Sequence, residues 1–84
     1  MNKKKLFVRI VNNQKNVQFN DFVTVIEAFG FSCVRRGGSH QIYNHPNIAE
    51  LINVQDENGK GKPYQIKQFL SLVEKYKMNM EDEI

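Results

Sequence analysis

The stretch Arg35-Arg36-Gly37-Gly38-Ser39-His40-Gln41-Ile42-Tyr43 predicts two β-strands joined by a tight turn. Paired glycines supply the positive φ angles that two-residue hairpin turns need, so the turn is predicted at Gly37-Gly38. The first strand is predicted over residues 31–36 and the return strand over residues 41–44. Pro46 ends the return strand, because proline cannot donate to a strand ladder.

Amphipathic helices are predicted on both sides of this hairpin. The first has an apolar stripe at helical spacing, formed by Phe19, Phe22, Val23, Ile26 and Phe29. Asn20 or Asp21 is predicted to cap its start, and Gly30 to end it in the left-handed conformation. The last helix is predicted to open at Pro63, where a missing N–H costs nothing, and its stripe runs from Ile66 to Tyr76.

A third short strand is predicted over residues 50–54, followed by a turn at Asp56-Glu57-Asn58-Gly59. Residues 4–12 fit either a helix or a strand, and we favour a short helix. The predicted order is therefore (α)-α-β-β-β-α in a single α+β domain, residues 1–84. Two amphipathic helices need one surface to bury against, and a three-stranded antiparallel sheet provides it. Residues 78–84 are expected to be a frayed acidic tail.

Charge in this 84-residue chain is uneven. It has 12 Lys and Arg against 9 Asp and Glu, and Glu81-Asp82-Glu83 holds three of those acids. The basic remainder favours a polyanion partner, with RNA or DNA ahead of an acidic protein, although ordinary solubility charge is the alternative. Cys33 is the only cysteine, which excludes an intrachain disulfide and suits a reducing compartment.

No apolar run approaches the roughly 20 residues that span a bilayer, so no membrane partner is expected. The lysine-rich start followed by residues 6–11 resembles a signal peptide only faintly, because its apolar run is short and Arg9 interrupts it. We therefore expect an unprocessed, cytoplasmic protein.

The hairpin carries the residues most suited to chemistry on a phosphodiester. Arginines hold phosphate, glycines let backbone approach closely, and a histidine such as His40 can move a proton near neutral pH. A basic turn with a solvent-exposed histidine is the alternative. His40 shares strand parity with Ile42, which is predicted to face the core. His45 is predicted on the opposite strand face, so no shared metal site is expected.

Further candidates surround this hairpin. Arg35 and Arg36 alternate faces, so one of them is expected to serve a given ligand. Lys60, Lys62 and Lys67 cluster around the start of the last helix, where free N–H groups already favour an anion. They indicate RNA backbone contact or a solvated face. Tyr43 and Tyr64 are candidates for stacking on bases, whereas Tyr76 is expected in the core.

Three segments in order resemble one family: Gly38-Ser39-His40-Gln41-Ile42-Tyr43, then His45-Pro46, then the stretch from Gly61 to Leu70, Gly-Lys-Pro-Tyr-Gln-Ile-Lys-Gln-Phe-Leu. They are similar to the HicA toxins, also described as YcfA-like mRNA interferases of type II toxin-antitoxin systems. The resemblance runs from about Phe19 to Tyr76. Residues 1–16 resemble an N-terminal extension carried by some members.

The resemblance implies a double-stranded-RNA-binding-domain-like fold and a metal-independent endoribonuclease that cleaves mRNA without a cofactor. It also implies a HicB-like antitoxin partner that covers the active site. The family's catalytic histidine maps onto His40 and its motif glycine onto Gly38, while Gln41 stands where many members have a second histidine. The predicted RNA-contacting set is Arg35, Arg36, Gly38, Ser39, Lys60, Lys62 and Lys67. A non-catalytic RNA-binding module and a degenerate toxin that binds only its antitoxin are the competing hypotheses.

Overall fold

A computed structural model describes residues 2–80 of the chain. Within them lie the helices α1 (Lys3–Asn12), α2 (Phe19–Ala28) and α3 (Pro63–Lys75), and the strands β1 (Ser32–Gly37), β2 (His40–His45), β3 (Ile48–Glu57) and β4 (Lys60–Gly61). The strands form one antiparallel sheet in the order β1-β2-β3-β4. The predicted α+β class and element order are confirmed.

The sheet has four strands rather than the predicted three. β3 continues to Glu57, and Asn58 and Gly59 make a two-residue turn with φ angles of 54° and 84°. The chain then returns as β4, in which Lys60 pairs with Glu57. A two-residue strand is too short to leave a periodic pattern in the sequence. The Asn-Gly pair in the predicted turn is nevertheless a strong hairpin signal, and the structure shows that it begins β4.

Helix α1 confirms the helical interpretation of the first segment. Leu6 and Ile10 are buried, and the Asn2 side chain caps the helix by accepting a hydrogen bond from the Lys5 amide at 2.9 Å. The helix packs against α2, where the rings of Phe7 and Phe29 meet edge to face at 5.0 Å. The extension is therefore part of the core and not an appendage to it.

Helix α2 begins after Gln18, so the prediction of a cap at Asn20 or Asp21 is wrong. The Phe19 amide instead donates to the Gly59 carbonyl at 2.8 Å, a long-range bond that satisfies one free N–H of the first turn. The other end is as predicted, because Gly30 has a φ of 97° directly after the helix.

The β1–β2 turn lies one residue later than predicted. Gly37 pairs with His40 across the hairpin, so the turn residues are Gly38 and Ser39. Only Gly38 of the two glycines has a positive φ, 57°. Gly37 belongs to the strand.

The core lies between the helices and one face of the sheet, which we call the inner face. Tyr43, Ile52 and Val54 point from β2 and β3 into it and are almost fully buried. Phe69 of α3 completes an aromatic cluster with edge-to-face contacts to Phe22, Phe29 and Phe31 at 5.6–6.0 Å. All helices pack on this side, so the outer face of the sheet is left open.

The free edge of β4 is covered by the segment that joins α1 to α2. Gly61 donates its amide to the Val17 carbonyl at 2.9 Å, and Lys60 forms a bridge with Gln18. A Cβ on Gly61 would lie 3.0 Å from Cδ2 of Phe22, a fully buried ring. Glycine is therefore needed here for close packing and not for backbone conformation.

After α3 the chain stays on the protein as far as the structure describes it. Met78 and Met80 pack against the core, and residues 81–84 of the predicted acidic tail lie outside the described residues. The prediction that Tyr76 is a core residue is wrong. It is 40% exposed, and its hydroxyl donates to the Glu50 carboxylate at 2.6 and 2.8 Å.

Candidate active site

His40 lies on the outer face of the sheet, at the first position of β2. It is exposed, with Gly37 opposite it on β1 and Gln55 opposite it on β3. The prediction that it shares the core side is wrong: the inner face carries Tyr43 and His45, and Ile42 lies outside with His40. Parity defines two faces of a strand, but only packing decides which one is buried.

The approach to His40 is open on the β1 side. Nothing lies within 4 Å of the positions that a Cβ would take on Gly37 or Gly38. Within residues 2–80 the His40 imidazole makes no hydrogen bond and no ion pair. Both ring nitrogens can therefore reach a ligand that settles against the hairpin.

His45 has a structural role. It is 8% exposed and stacks edge to face on Phe31 at 5.1 Å between ring centroids. Its Nδ1 accepts a hydrogen bond from the Asn47 amide at 3.0 Å, which stabilises the turn at Pro46 and Asn47. The two histidines therefore differ in kind, since one holds a turn and the other is open to solvent.

The two arginines are separated by the sheet. Arg35 pairs with Ile42 on the outer face, which makes it a diagonal neighbour of His40, roughly 7–8 Å away between backbones and within reach of a long side chain. Arg36 pairs with Gln41 on the inner face. There it contacts the Cys33 thiol, and the hydrogen bond with this thiol raises the pKa of the guanidinium. Only Arg35 shares a face with His40.

Tyr43 and Gln41 point away from the candidate site. Tyr43 is fully buried, so the hypothesis that it stacks on bases is wrong. Its hydroxyl donates to Oε1 of Gln41 at 2.7 Å, and burial raises the pKa of this phenol. Because Gln41 lies on the inner face, it cannot assist His40 on the outer face.

The hairpin turn is tied to the start of α3 through the end of β3. The Ser39 carbonyl accepts a hydrogen bond from the Asp56 amide at 2.9 Å, and Asp56 pairs in turn with Gly61. Lys62 follows directly as the residue before α3, with no side-chain cap. Gly38, Ser39, His40 and the first turn of α3 thus lie at one end of the molecule.

Gln65 is a residue that sequence reasoning missed. It is 3% exposed, and its Oε1 accepts a hydrogen bond from the Gln55 amide at 2.8 Å. β4 ends at Gly61, so no strand covers the Gln55 N–H at the edge of β3. The Gln65 side chain accepts from this N–H, and Gln55 is the residue that pairs with His40. The signal was available, because Gln65 precedes Phe69 by four residues and Leu72 by seven on the buried side of α3.

The remaining candidates lie around α3 and β4. Lys67 is exposed on α3, three residues after Tyr64, which is 60% exposed and free to stack. Lys60 lies elsewhere: its Nζ donates to Oδ1 of Asn16 at 2.8 Å, in the loop between α1 and α2. The Lys60 side chain therefore points toward the helices, whereas Lys62 lies next to Gly61, two strand spacings from the hairpin turn.

Among residues 2–80 there is no group of three or more His, Cys, Asp or Glu side chains that could hold a metal ion. Nor does this part of the chain contain a helix of the length and hydropathy needed to cross a bilayer.

Comparison with known proteins gives one match. Residues 19–73 match the family model described as "HicA toxin of bacterial toxin-antitoxin". No curated protein and no solved structure matches the chain. The matched range begins with α2 and ends within α3, so it contains the hairpin and the whole sheet and leaves α1 outside.

Proposed function

The chain belongs to the HicA toxin family of bacterial toxin-antitoxin systems, and from this premise we propose that it is an endoribonuclease that cleaves mRNA. Its single catalytic residue is His40. The protein works in the cytoplasm without a metal or cofactor, and a HicB-like antitoxin inhibits it by covering the outer face around the hairpin.

The observation that carries this proposal is the contrast between the two histidines. His45 is buried and holds a turn through its Nδ1. His40 is exposed beside two glycines that leave its flank open, with Arg35 on the same face. An imidazole with room for a phosphate beside it, and a guanidinium within reach of that phosphate, suits proton transfer at a phosphodiester.

The reaction proceeds by internal attack. The ribose 2′-oxygen loses its proton and forms a bond to phosphorus, while the bond from phosphorus to the 5′-oxygen breaks and that oxygen gains a proton. His40 acts as the base that takes the first proton or as the acid that gives the second, and water serves at the other position. The products are a 2′,3′-cyclic phosphate and a 5′-hydroxyl.

Two consequences follow from this chemistry. Reliance on the 2′-hydroxyl makes RNA the substrate and leaves DNA intact. Proton transfer by one imidazole accelerates such a step roughly 10²–10⁴-fold, so the enzyme is slow unless charge on the phosphate is also stabilised. Arg35, which shares the outer face with His40, and Lys62, the residue before α3, are the cations proposed for that role.

The test is cleavage of a long single-stranded RNA in EDTA by the wild type, His40→Ala and Asn44→Ala. Asn44 is an exposed residue of the same strand and serves as the matched control. We expect the wild type and Asn44→Ala to cut the RNA, leaving 5′-hydroxyl ends, and His40→Ala to be inactive. A 5′-phosphate and 3′-hydroxyl at the cut, or full activity of His40→Ala, would contradict the mechanism. RNA binding without cleavage by the wild type would favour a non-catalytic RNA-binding module.

The antitoxin is tested separately. The proposal predicts that a bound HicB-like protein protects the hairpin amides of Gly38 and His40 from hydrogen exchange and abolishes cleavage. Antitoxin binding by a chain that has no affinity for RNA would point instead to a degenerate toxin.

A further inference from the structure

A polar cavity of about 430 Å³ lies between the end of α1 and the start of α2, and all its lining residues except Asp21 precede the region that matches the family. Its floor is formed by the buried apolar residues Leu6, Ile10 and Val17. Side-chain amides surround this floor, and the cations Arg9 and Lys15 and the carboxylate of Asp21 also line the cavity. An apolar floor with a few polar groups is the usual form of a small-molecule site.

The amides around the cavity differ in how far they are already engaged. The Asn16 side chain accepts a hydrogen bond from the Lys60 ammonium group, and the Asn13 side chain accepts one from the Lys15 backbone amide. Asn12 and Gln18 make no side-chain hydrogen bond within residues 2–80, although both are exposed at the cavity. Free carboxamides offer a donor and an acceptor side by side, which matches the edge of a nucleobase.

The cavity is connected to His40 by an unbroken series of backbone hydrogen bonds and strand pairs. Ser39 is bonded to Asp56, Asp56 pairs with Gly61, and Gly61 is bonded to Val17 on the cavity floor. This path crosses three strand spacings of about 4.8 Å, so the hairpin and the cavity are about 14 Å apart. An RNA strand covers that distance with a few nucleotides.

Cations also mark this path. Lys62 follows Gly61 on this path, Lys60 reaches Asn16 at the cavity, and Lys15 lines the cavity itself. The acidic residues Asp56 and Glu57 lie on the same path. A basic groove that follows the backbone, with a site for a base at one end, is the usual arrangement for single-stranded nucleic acid.

We propose that this cavity is a second RNA subsite, which holds one nucleobase of the substrate strand a few nucleotides from the cut. Asn12 and Gln18 bind the base edge, the apolar floor packs on its face, and Lys15 and Lys60 hold the neighbouring phosphates. The N-terminal extension thus adds affinity for a longer strand. This inference rests on RNA being the ligand, as in the proposed function.

Binding is measured by fluorescence anisotropy with a labelled long single-stranded RNA, in the His40→Ala background so that the RNA stays intact. The double variant Asn12→Ala, Lys15→Ala is compared with Lys3→Ala, which removes a lysine at the far, exposed end of α1. We expect about tenfold weaker binding for the double variant, the size of one good base contact, and less than a twofold change for Lys3→Ala. In a plot of log K against the logarithm of the salt concentration, the magnitude of the slope should also fall by about 0.7 for the lost phosphate contact.

A second probe is free adenosine 5′-monophosphate, observed by amide chemical shifts. Shifts at Val17 and Gln18 support the subsite, and their absence at saturating nucleotide overturns it. Equal RNA affinity for the double variant and Lys3→Ala would overturn it as well. Because binding is scored in a background without His40, a missing ribonuclease activity in the wild type is a separate result and leaves the subsite standing.

Discussion

Replacing Gln65 with methionine should destabilise the protein although the change conserves size and suits a helix. Gln65 is 3% exposed and supplies the acceptor for the Gln55 amide at 2.8 Å. Methionine fills the same space but has only a weak acceptor in its thioether sulfur. The Gln55 N–H would then face α3 without a partner, at the position directly opposite His40.

The magnitude follows from the cost of an unsatisfied buried donor, about 1–3 kcal/mol. This hydrogen bond is only partly buried, which places the cost near the lower half of that range, about 1–2 kcal/mol. A domain of this size loses roughly 4–8 °C in Tm per kcal/mol. We therefore expect the Gln65→Met variant to melt about 4–16 °C below the wild type.

The assay is thermal unfolding with Gln68→Met as the matched control, because Gln68 lies on the exposed side of the same helix. The control should stay within about 0.5 kcal/mol of the wild type. Hydrogen exchange adds a local measurement, in which the Gln55 amide loses protection in Gln65→Met alone. If both methionine variants melt together and Gln55 stays protected, another group satisfies this amide and the reasoning is refuted.

Three further predictions concern packing, the substrate phosphate and acid stability. Gly61→Ala should lower the free energy of unfolding by about 1–3 kcal/mol, because the added methyl would lie 3.0 Å from a fully buried aromatic ring. Gly37→Ala should leave stability unchanged, because nothing lies within 4 Å of its added methyl, and equal unfolding curves for the two variants would contradict this account. If the proposed cleavage holds, Arg35→Ala should lower its rate about 10²-fold and Arg36→Ala should lower it less, since only Arg35 shares the outer face with His40. Single-turnover rates decide, and the reverse order refutes the assignment. Hydrogen bonds from Tyr76 and Lys75 lower the pKa of Glu50 from 4.5 to about 2. The contribution of this carboxylate to stability is therefore present above pH 4.5 and is lost as the pH falls toward 2. A carbon-detected titration of Glu50 with a midpoint near 4.5, or acid unfolding of Glu50→Gln identical to that of the wild type, would contradict this prediction.

Much of the architecture could be predicted because it depends on local patterns. The apolar stripe from Phe19 to Phe29, the glycine pair and Pro63 each act within a few residues. The structure has α2 and α3 where these signals predict them, and the hairpin turn one residue later than the glycine pair predicts. The exact ends of these elements depend on contacts outside the local pattern. The start of α2 depends on a hydrogen bond to Gly59, forty residues away along the chain, which no local signal reveals.

The candidate site was predicted in part. The residue types at the hairpin indicated His40 and an arginine as candidates for the site. Only the strand register shows that Arg35, and not Arg36, shares a face with His40, and only the packing shows that Tyr43 is buried. Gln65 was missed because a polar residue on a buried helix face suggests no partner until the neighbouring strand is in place.

Local patterns in the amino-acid sequence are enough to predict the helices, the hairpin and the family, because periodicity, turn chemistry and the order of short motifs can be read without knowing any contact between distant residues. Packing in three dimensions determines which face of the sheet is buried, where β4 pairs, and that the loop after α1 comes within three strand spacings of His40. These features depend on contacts between distant segments. Such contacts form only where burial of apolar surface and satisfaction of backbone hydrogen bonds agree over the whole chain.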